Sequence, residues 1–313
     1  MSTRTETFHT LIARNRRNSA ILILVFLALF AGVGLMIGLA WGHGDTAFGV
    51  IVAAGAGAVA FVLTMISYYG GSSILLSMSS ARAIAHDDDP QLFNVVEELC
   101  LAGGLPMPKV YLIDDTAMNA FATGRDPKHA AVAITTGLRS RLKRDELQGV
   151  MAHELSHIRH NDILYAMLIS VMVGVLVMLC DVFLRSTFWG RSSRRRDDRE
   201  SGGGALQIVL VVLAIVLAII APILARIIQM SLSRQREYLA DAGSVALTRN
   251  PDGLIGALTA LSADKEVLEV ANRATAPLFI IHPIKKFEER SSSIFDTHPP
   301  VSDRIARLRS MGG

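Results

Sequence analysis

The sequence predicts a multi-pass α-helical membrane protein carrying an α+β domain on the cytoplasmic side, and three observations support this. Half of the 313 residues are hydrophobic, 51%, and the mean hydropathy of +0.39 exceeds what a large soluble interior needs. Long apolar runs cover residues 18–41, 47–70, 163–184 and 205–229. Between the second and third lies a stretch patterned like an ordinary domain.

Each run exceeds the roughly 20 residues that cross a bilayer as a helix. Runs 18–41 and 47–70 contain no charged residue and are separated only by Gly42-His43-Gly44-Asp45-Thr46, so they predict a tight transmembrane hairpin. A secretory signal is the competing reading. The first run is longer than an apolar signal core of about 7–15 residues, and no small-residue cleavage site follows, which favours an uncleaved anchor. Arg4, Arg14, Arg16 and Arg17 precede it, whereas the first loop offers only Asp45 and a histidine. Basic flanks stay in the cytoplasm, so residues 1–17 form a cytoplasmic tail and residues 71–162 return to that side.

Runs 163–184 and 205–229 are interrupted by Asp181 and by Pro222 and Arg226. Their connecting segment, 185–204, holds Arg185, Arg191, Arg194, Arg195, Arg196 and Arg199 against Asp197, Asp198 and Glu200. A full crossing exports this basic loop. Re-entrant helices, or helices packed on a protein face, avoid the conflict. The continuity of both runs favours spanning, and residues 230–313 then complete the cytoplasmic domain.

The formal charge of +3 and pI near 9.0 are accounted for by membrane-flanking arginines, and no basic patch interleaved with aromatics points to nucleic acid. Cys100 and Cys180 lack metal-site spacing. No phosphate-binding glycine loop of the GxxxxGK[ST] type occurs, so the chain has no evident motor.

In the domain stretch, Leu92, Val95, Val96 and Leu99 at helical spacing predict a helix over 90–102, ended by Gly103-Gly104-Leu105-Pro106. Lys109–Ile113, Asn119–Gly124 and Ala130–Thr135 read as strands. The small residues of Asn119, Ala120, Phe121, Ala122, Thr123 and Gly124 suit either a plain core strand or one whose backbone pairs with an extended peptide.

The helix that follows carries His153-Glu154-Leu155-Ser156-His157. Imidazoles four residues apart share one face with a carboxylate beside them, the arrangement that holds zinc and activates its water. Such zinc needs three protein ligands and an open position. Glu237 and Asp241, on a predicted helix after the fourth run, share a face: one carboxylate binds metal while the other fixes a histidine's tautomer. His160 competes for the third place, but three imidazoles from one short helix strain a tetrahedron, which favours Glu237. Glu237 reaches that zinc only if the third and fourth runs both span or both stay shallow.

Taken in order, the N-terminal hairpin, the Asn119–Gly124 stretch, His153-Glu154-Leu155-Ser156-His157, two further apolar runs, Arg236-Glu237-Tyr238-Leu239-Ala240-Asp241 and Thr297-His298-Pro299-Pro300 with Arg304 resemble the HtpX family. These are bacterial membrane zinc endopeptidases related to the CAAX-prenyl proteases. The resemblance covers nearly the whole chain and implies a gluzincin-type metalloprotease domain in the inner membrane, facing the cytoplasm. It implies one zinc per subunit on His153, His157 and Glu237, Glu154 as general base and Asp241 behind a ligand histidine. It also places Asn119–Gly124 along the substrate cleft, and His298 and Arg304 where they stabilise an oxyanion or organise the cleft. Implied substrates are unfolded or damaged membrane proteins, in overlap with the ATP-dependent membrane protease under stress. The Arg-rich 185–204 loop and long N-terminal tail depart from shorter members.

Two readings from other classes stay open. A zinc-dependent scaffold or chaperone would share the site without turnover. A transporter would use the same residues as an ion site, although they lie outside the apolar runs. Within the hydrolases, a CAAX-prenyl-type processing enzyme is the alternative.

Overall fold

A computed structural model describes residues 8–42, 44–172, 234–264, 266, 268, 279–280 and 299–311. The described residues fall into two compact units: Ala20–Ser67 with Met172 in one, the remainder in the other.

Helices α1 (Phe8–Trp41) and α2 (Thr46–Met78) carry the first two apolar runs. Among the described residues these are the two helices long and apolar enough to cross a membrane. Small residues bring them together: a Cβ on Gly34 would fall 2.6 Å from that of Ala56, and one on Gly38 2.7 Å from Gly49 Cα. Close backbone approach of this kind is how apolar helices pack where the surroundings are as apolar as they are. Leu24, Val50, Ile51 and Phe61 face outward. Both helices outrun the sequence boundaries. Residues 8–17, expected in a tail, are helical, and α2 continues beyond Gly70.

The second unit is a mixed α/β domain. Its four-stranded sheet has the order β1-β2-β4-β3, from β1 (Arg82–Ala83), β2 (Lys109–Ile113), β3 (Ala120–Gly124) and β4 (Ala130–Thr135). β2 and β4 are parallel, with Lys109 opposite Ala131, while β3 returns antiparallel to β4 as an edge strand. Alternation splits the strands between two cores. Val132 and Ile134 of β4, with Ala120 and Ala122 of β3, join the main core, whereas Ala131, Ala133 and Phe121 join a smaller one with Leu76 and Phe279.

α3 (Pro90–Gly103) starts where the Asp89 carboxylate accepts from the Leu92 N–H at 3.1 Å, and it ends at Gly104, whose φ of 63° is left-handed. The short α4 (Thr136–Arg141) leads to α5 (Arg144–Arg159), whose first-turn Glu146 carboxylate accepts from the Lys143 N–H at 2.8 Å. α5 packs against α7 (Arg234–Thr248) and α8 (Pro251–Ala263) through glycines. A Cβ on Gly243 would land on the Ser156 side chain, and one on Gly149 would meet the Leu254 backbone. α9 (Val301–Met311) closes against α8 through Leu308.

α5 stops at His160 because Asn161 turns left-handed, φ 58°, a conformation asparagine tolerates better than most side chains. α6 (Asp162–Met172) follows at once. It begins the third apolar run, yet Ile163, Leu164, Met167, Leu168 and Ile169 are all buried. The rest of that run, the 185–204 loop and the 205–229 run lie outside the described residues.

Candidate active site

α5 presents His153, Glu154 and His157 towards Glu237 and Asp241 of α7. Spacings of four residues, about one helical turn on each element, set this meeting, and the Gly243–Ser156 contact lets α5 and α7 approach closely enough to make it. One ligand atom each from His153, His157 and Glu237 lies within 4.8 Å of the others. The two Nε2 atoms are 3.1 Å apart, and each is 3.7 Å from an oxygen of Glu237.

Each histidine is oriented from behind. His153 Nδ1 lies 3.0 Å from Asp241 Oδ1, and His157 Nδ1 lies 2.9 Å from Asp162 Oδ2. With the protons held on Nδ1, both Nε2 lone pairs point into the same space as a carboxylate. At 3.1 Å the two Nε2 atoms need a proton or a metal cation between them. The N, N, O donor set is the one zinc takes in hydrolases that keep a fourth position for water, so these residues fit the metal.

The family model described as Peptidase family M48 matches residues 86–312. The chain belongs to peptidase family M48. Curated relatives bear the name Protease HtpX homolog. That of Ligilactobacillus salivarius is 41% identical over 300 residues, 96% of this chain and 98% of its own length. That of Lactiplantibacillus plantarum is 44% identical over 301 residues, again 96% and 98%. The crystal structure of S. mikatae Ste24p superposes with a TM-score of 0.47 at 18% identity over 95% of this chain and 66% of that one, too loose a likeness to carry a functional conclusion. This M48 peptidase is an HtpX-like zinc-dependent metalloendopeptidase, and His153, His157 and Glu237 are its metal triad.

Electrostatics among the protein groups of the site suit that chemistry. Burial lowers the His153 pKa, helped by Arg304 and His157 against the pull of Asp241, so the imidazole stays neutral. Burial also opposes charge on His157, but Asp162, Glu237 and Glu154 outweigh it and lift the pKa to about 10. Glu154, only 2% exposed, is pushed up to about 7 by burial and by Glu237, against His157 and the Ala122 N–H that its carboxylate accepts. A carboxylate with a pKa close to neutrality is suited to exchanging protons at working pH.

Arg304 of the M48 site is 1% exposed. It donates to Asp241 through Nε at 2.9 Å and Nη2 at 2.6 Å, and to the Ile280 carbonyl through Nη1 at 3.2 Å. Its Nη2 also lies 3.4 Å from His153 Nδ1. That contact is not a hydrogen bond, because an Nδ1 that donates to Asp241 cannot also accept.

β3 runs alongside α5. Asn119, Phe121 and Thr123 turn their backbone groups to β4, leaving those of Ala120 and Ala122 on the outer edge. The Ala120 carbonyl accepts from the Ile280 N–H at 3.0 Å, and Phe279 packs edge-on to Phe121 with centroids 5.2 Å apart. Gly124 closes the strand at φ 151°, where a Cβ would meet the His129 carbonyl at 2.7 Å.

His160 is buried with Nδ1 3.5 Å from Ser156 Oγ, while its carbonyl accepts from Asn15 Nδ2 at 3.0 Å. It is not in the metal cluster. His298 lies outside the described residues. Asp162 is the site residue that sequence reasoning missed. On an unbroken helix it would point away from His157, and only the left-handed Asn161 turns it back. Ile280 was also missed, since nothing local in its sequence marks it.

Proposed function

We propose that this peptidase cuts exposed or unfolded segments of membrane proteins at the cytoplasmic face of the inner membrane, as quality control under stress. In this reading α1 and α2 form a spanning hairpin with the N-terminus inside, and the runs at 163–184 and 205–229 complete a multi-pass protein. Arg14, Arg16 and Arg17 at the start of α1 favour that orientation. A metalloendopeptidase without a nucleotide motif depends on segments already accessible. The relatives bear the name Protease HtpX homolog, and the resemblance to that family adds functional overlap with the ATP-dependent membrane protease to this reading.

The observation that carries the chemistry is a buried carboxylate, Glu154, on the same helix as the two histidines of a converging metal triad. Zinc, when bound, lowers the pKa of its water and polarises the scissile carbonyl. Glu154 is the general base: it takes the proton of the attacking water and delivers it to the departing amine. Asp241 and Asp162 hold the Nδ1 protons of His153 and His157, which keeps Nε2 available. Arg304 is a positioning residue acting through Asp241 and Ile280. His298 is proposed as an oxyanion or cleft residue on the strength of the resemblance alone.

The Asn119–Gly124 stretch forms the cleft wall, with substrate backbone pairing along the outer edge of β3. The Ile280 N–H bound to the Ala120 carbonyl supports this, since it is the bond an extended peptide would make there. Incoming substrate displaces Ile280 or pairs beyond it.

Cleavage of a misfolded membrane protein, an unfolded soluble reporter and a prenylated CaaX peptide by the purified full chain tests the substrate class. Cutting of the first two and not the third is expected. Cutting of the prenylated peptide alone assigns a processing enzyme, and zinc binding without cutting of any, on substrates another protease degrades, assigns a scaffold.

A further inference from the structure

A cavity lies where the N-terminal ends of β2 and β4 face α2, and strand directions create it. Because β2 and β4 are parallel with Lys109 beside Ala131, their N-terminal ends lie together, and the turn joining β3 to β4 falls at that same end. Lys109, Arg125, Lys128 and His129 are thereby gathered on one rim. Opposite them stands the C-terminal part of α2, with Tyr69 and Ser72, and the cavity between is about 310 Å³. Leu76, Ala130 and Ala131 are buried at its base.

The charge balance is positive. Asp126 offsets part of it, with His129 Nδ1 2.8 Å and Arg125 Nε 3.6 Å from its carboxylate. Lys109 and Lys128 enter no ion pair among the described residues, and no carboxylate lines the cavity. The Arg125 guanidinium lies 5.2 Å from the centroid of the Tyr69 ring, which holds it at the rim. The cavity volume sits at the lower end of the range of about 300–1,000 Å³ in which proteins hold small ligands. α2 is one of the helices apolar enough to cross a membrane, and Tyr69 stands at the end of its apolar run, 47–70, where tyrosines sit at headgroup level.

The geometry points to a binding site for the phosphate of an anionic phospholipid headgroup, phosphatidylglycerol being the simplest, gripped by Lys109, Arg125 and Lys128 and stacked against α2. Anionic lipid attracts basic residues at the membrane surface, and clusters of them select it. A free phosphate offers the same oxygen atoms, so the lipid has to be distinguished from it. The site shares no residue with the metal triad.

The test titrates the full chain in neutral detergent with short-chain phosphatidylglycerol, phosphatidylcholine of equal chain length and inorganic phosphate, following binding by microscale thermophoresis. Phosphatidylglycerol is expected to bind at least about tenfold more tightly than phosphatidylcholine, to weaken as salt is raised, and to lose at least about tenfold in the Lys109→Gln/Lys128→Gln double variant. Unchanged zinc content and soluble-peptide cleavage show that this variant is folded. Should it not fold, the lipid comparison and salt dependence on the unaltered chain still decide. Equal binding of the two lipids, or a folded double variant that binds phosphatidylglycerol unchanged, overturns the proposal. Inorganic phosphate binding as tightly as phosphatidylglycerol and displacing it overturns the lipid as the source.

Discussion

Arg304 and Asp241 meet through two parallel hydrogen bonds, Nε to Oδ2 at 2.9 Å and Nη2 to Oδ1 at 2.6 Å, with both side chains buried. The pair links α9 to α7, and through Oδ1 it reaches His153. Burial alone would raise the Asp241 pKa, but Arg304 and His153 hold it below the usual carboxylate range. Removing Arg304 leaves an uncompensated buried charge. Arg304→Ala is therefore expected to cost about 3–5 kcal/mol, and Arg304→Lys to recover only part of it, because an ammonium cannot make the bidentate fork. Thermal unfolding of the purified chain in detergent checks both. A loss below about 1 kcal/mol, the worth of an exposed pair, contradicts the pairing.

Asp162 tests whether His157 is held from behind. Asp162→Asn removes the charge that keeps the Nδ1 proton in place, and zinc affinity is expected to fall by about 10–100-fold, as for other outer partners of ligand histidines. Competition with a chromophoric chelator measures it. His160→Ala, by contrast, leaves affinity unchanged.

His157, raised to about 10 by Asp162, Glu237 and Glu154, carries a proton at neutral pH that zinc must displace. Affinity therefore falls as pH falls, because the proton competes for the same imidazole. At pH 8, where Glu154 with its pKa of about 7 is mostly ionised, zinc added to the chelator-treated chain is expected to release at least about one proton, that of His157 together with any lost by the zinc-bound water. A pH-indicator dye in weak buffer reads it, and no release contradicts the assignment.

Asp89 caps α3 and binds Arg139 Nε at 2.5 Å and Nη2 at 2.9 Å. Burial pushes its carboxyl up, but Arg139 and the Leu92 N–H outweigh that and lower the pKa. The folded value lies below the unfolded one of about 3.9, so this stabilisation is present above that pH and is lost as pH falls through the folded value. Asp89→Ala is expected to cost about 0.5–2 kcal/mol near neutrality, with the difference from the unaltered chain shrinking in acid. A difference constant with pH, read in parallel melts, counts against a charged cap.

Much of this was legible from local patterns. β2 and β4 match their sequence boundaries, because β-branched and small apolar residues alternate between two cores there. α3 was marked by Leu92, Val95, Val96 and Leu99 at one spacing, and the metal triad followed from helical geometry at His153, His157 and Glu237. What escaped depended on the chain leaving a regular element. Asp162 reaches His157 only because Asn161 breaks the helix, and Ile280 reaches β3 from a distant part of the sequence. β1 pairs through Arg82 and Ala83 only, too short for a period to show. The third apolar run begins in α6, whose residues are buried, and burial inside a protein and burial in lipid select the same residues, so its pattern alone does not separate the two.

The central claim is that Glu154 is the base of a zinc site it does not itself ligate. The most direct test measures zinc content and cleavage of an unfolded reporter for the full chain and for Glu154→Gln, which keeps the shape of the side chain and removes its proton affinity. The expected result is equal zinc in both, about one per chain, with cleavage reduced at least about 10²-fold in the variant. Undiminished cleavage by a zinc-loaded Glu154→Gln chain would contradict it.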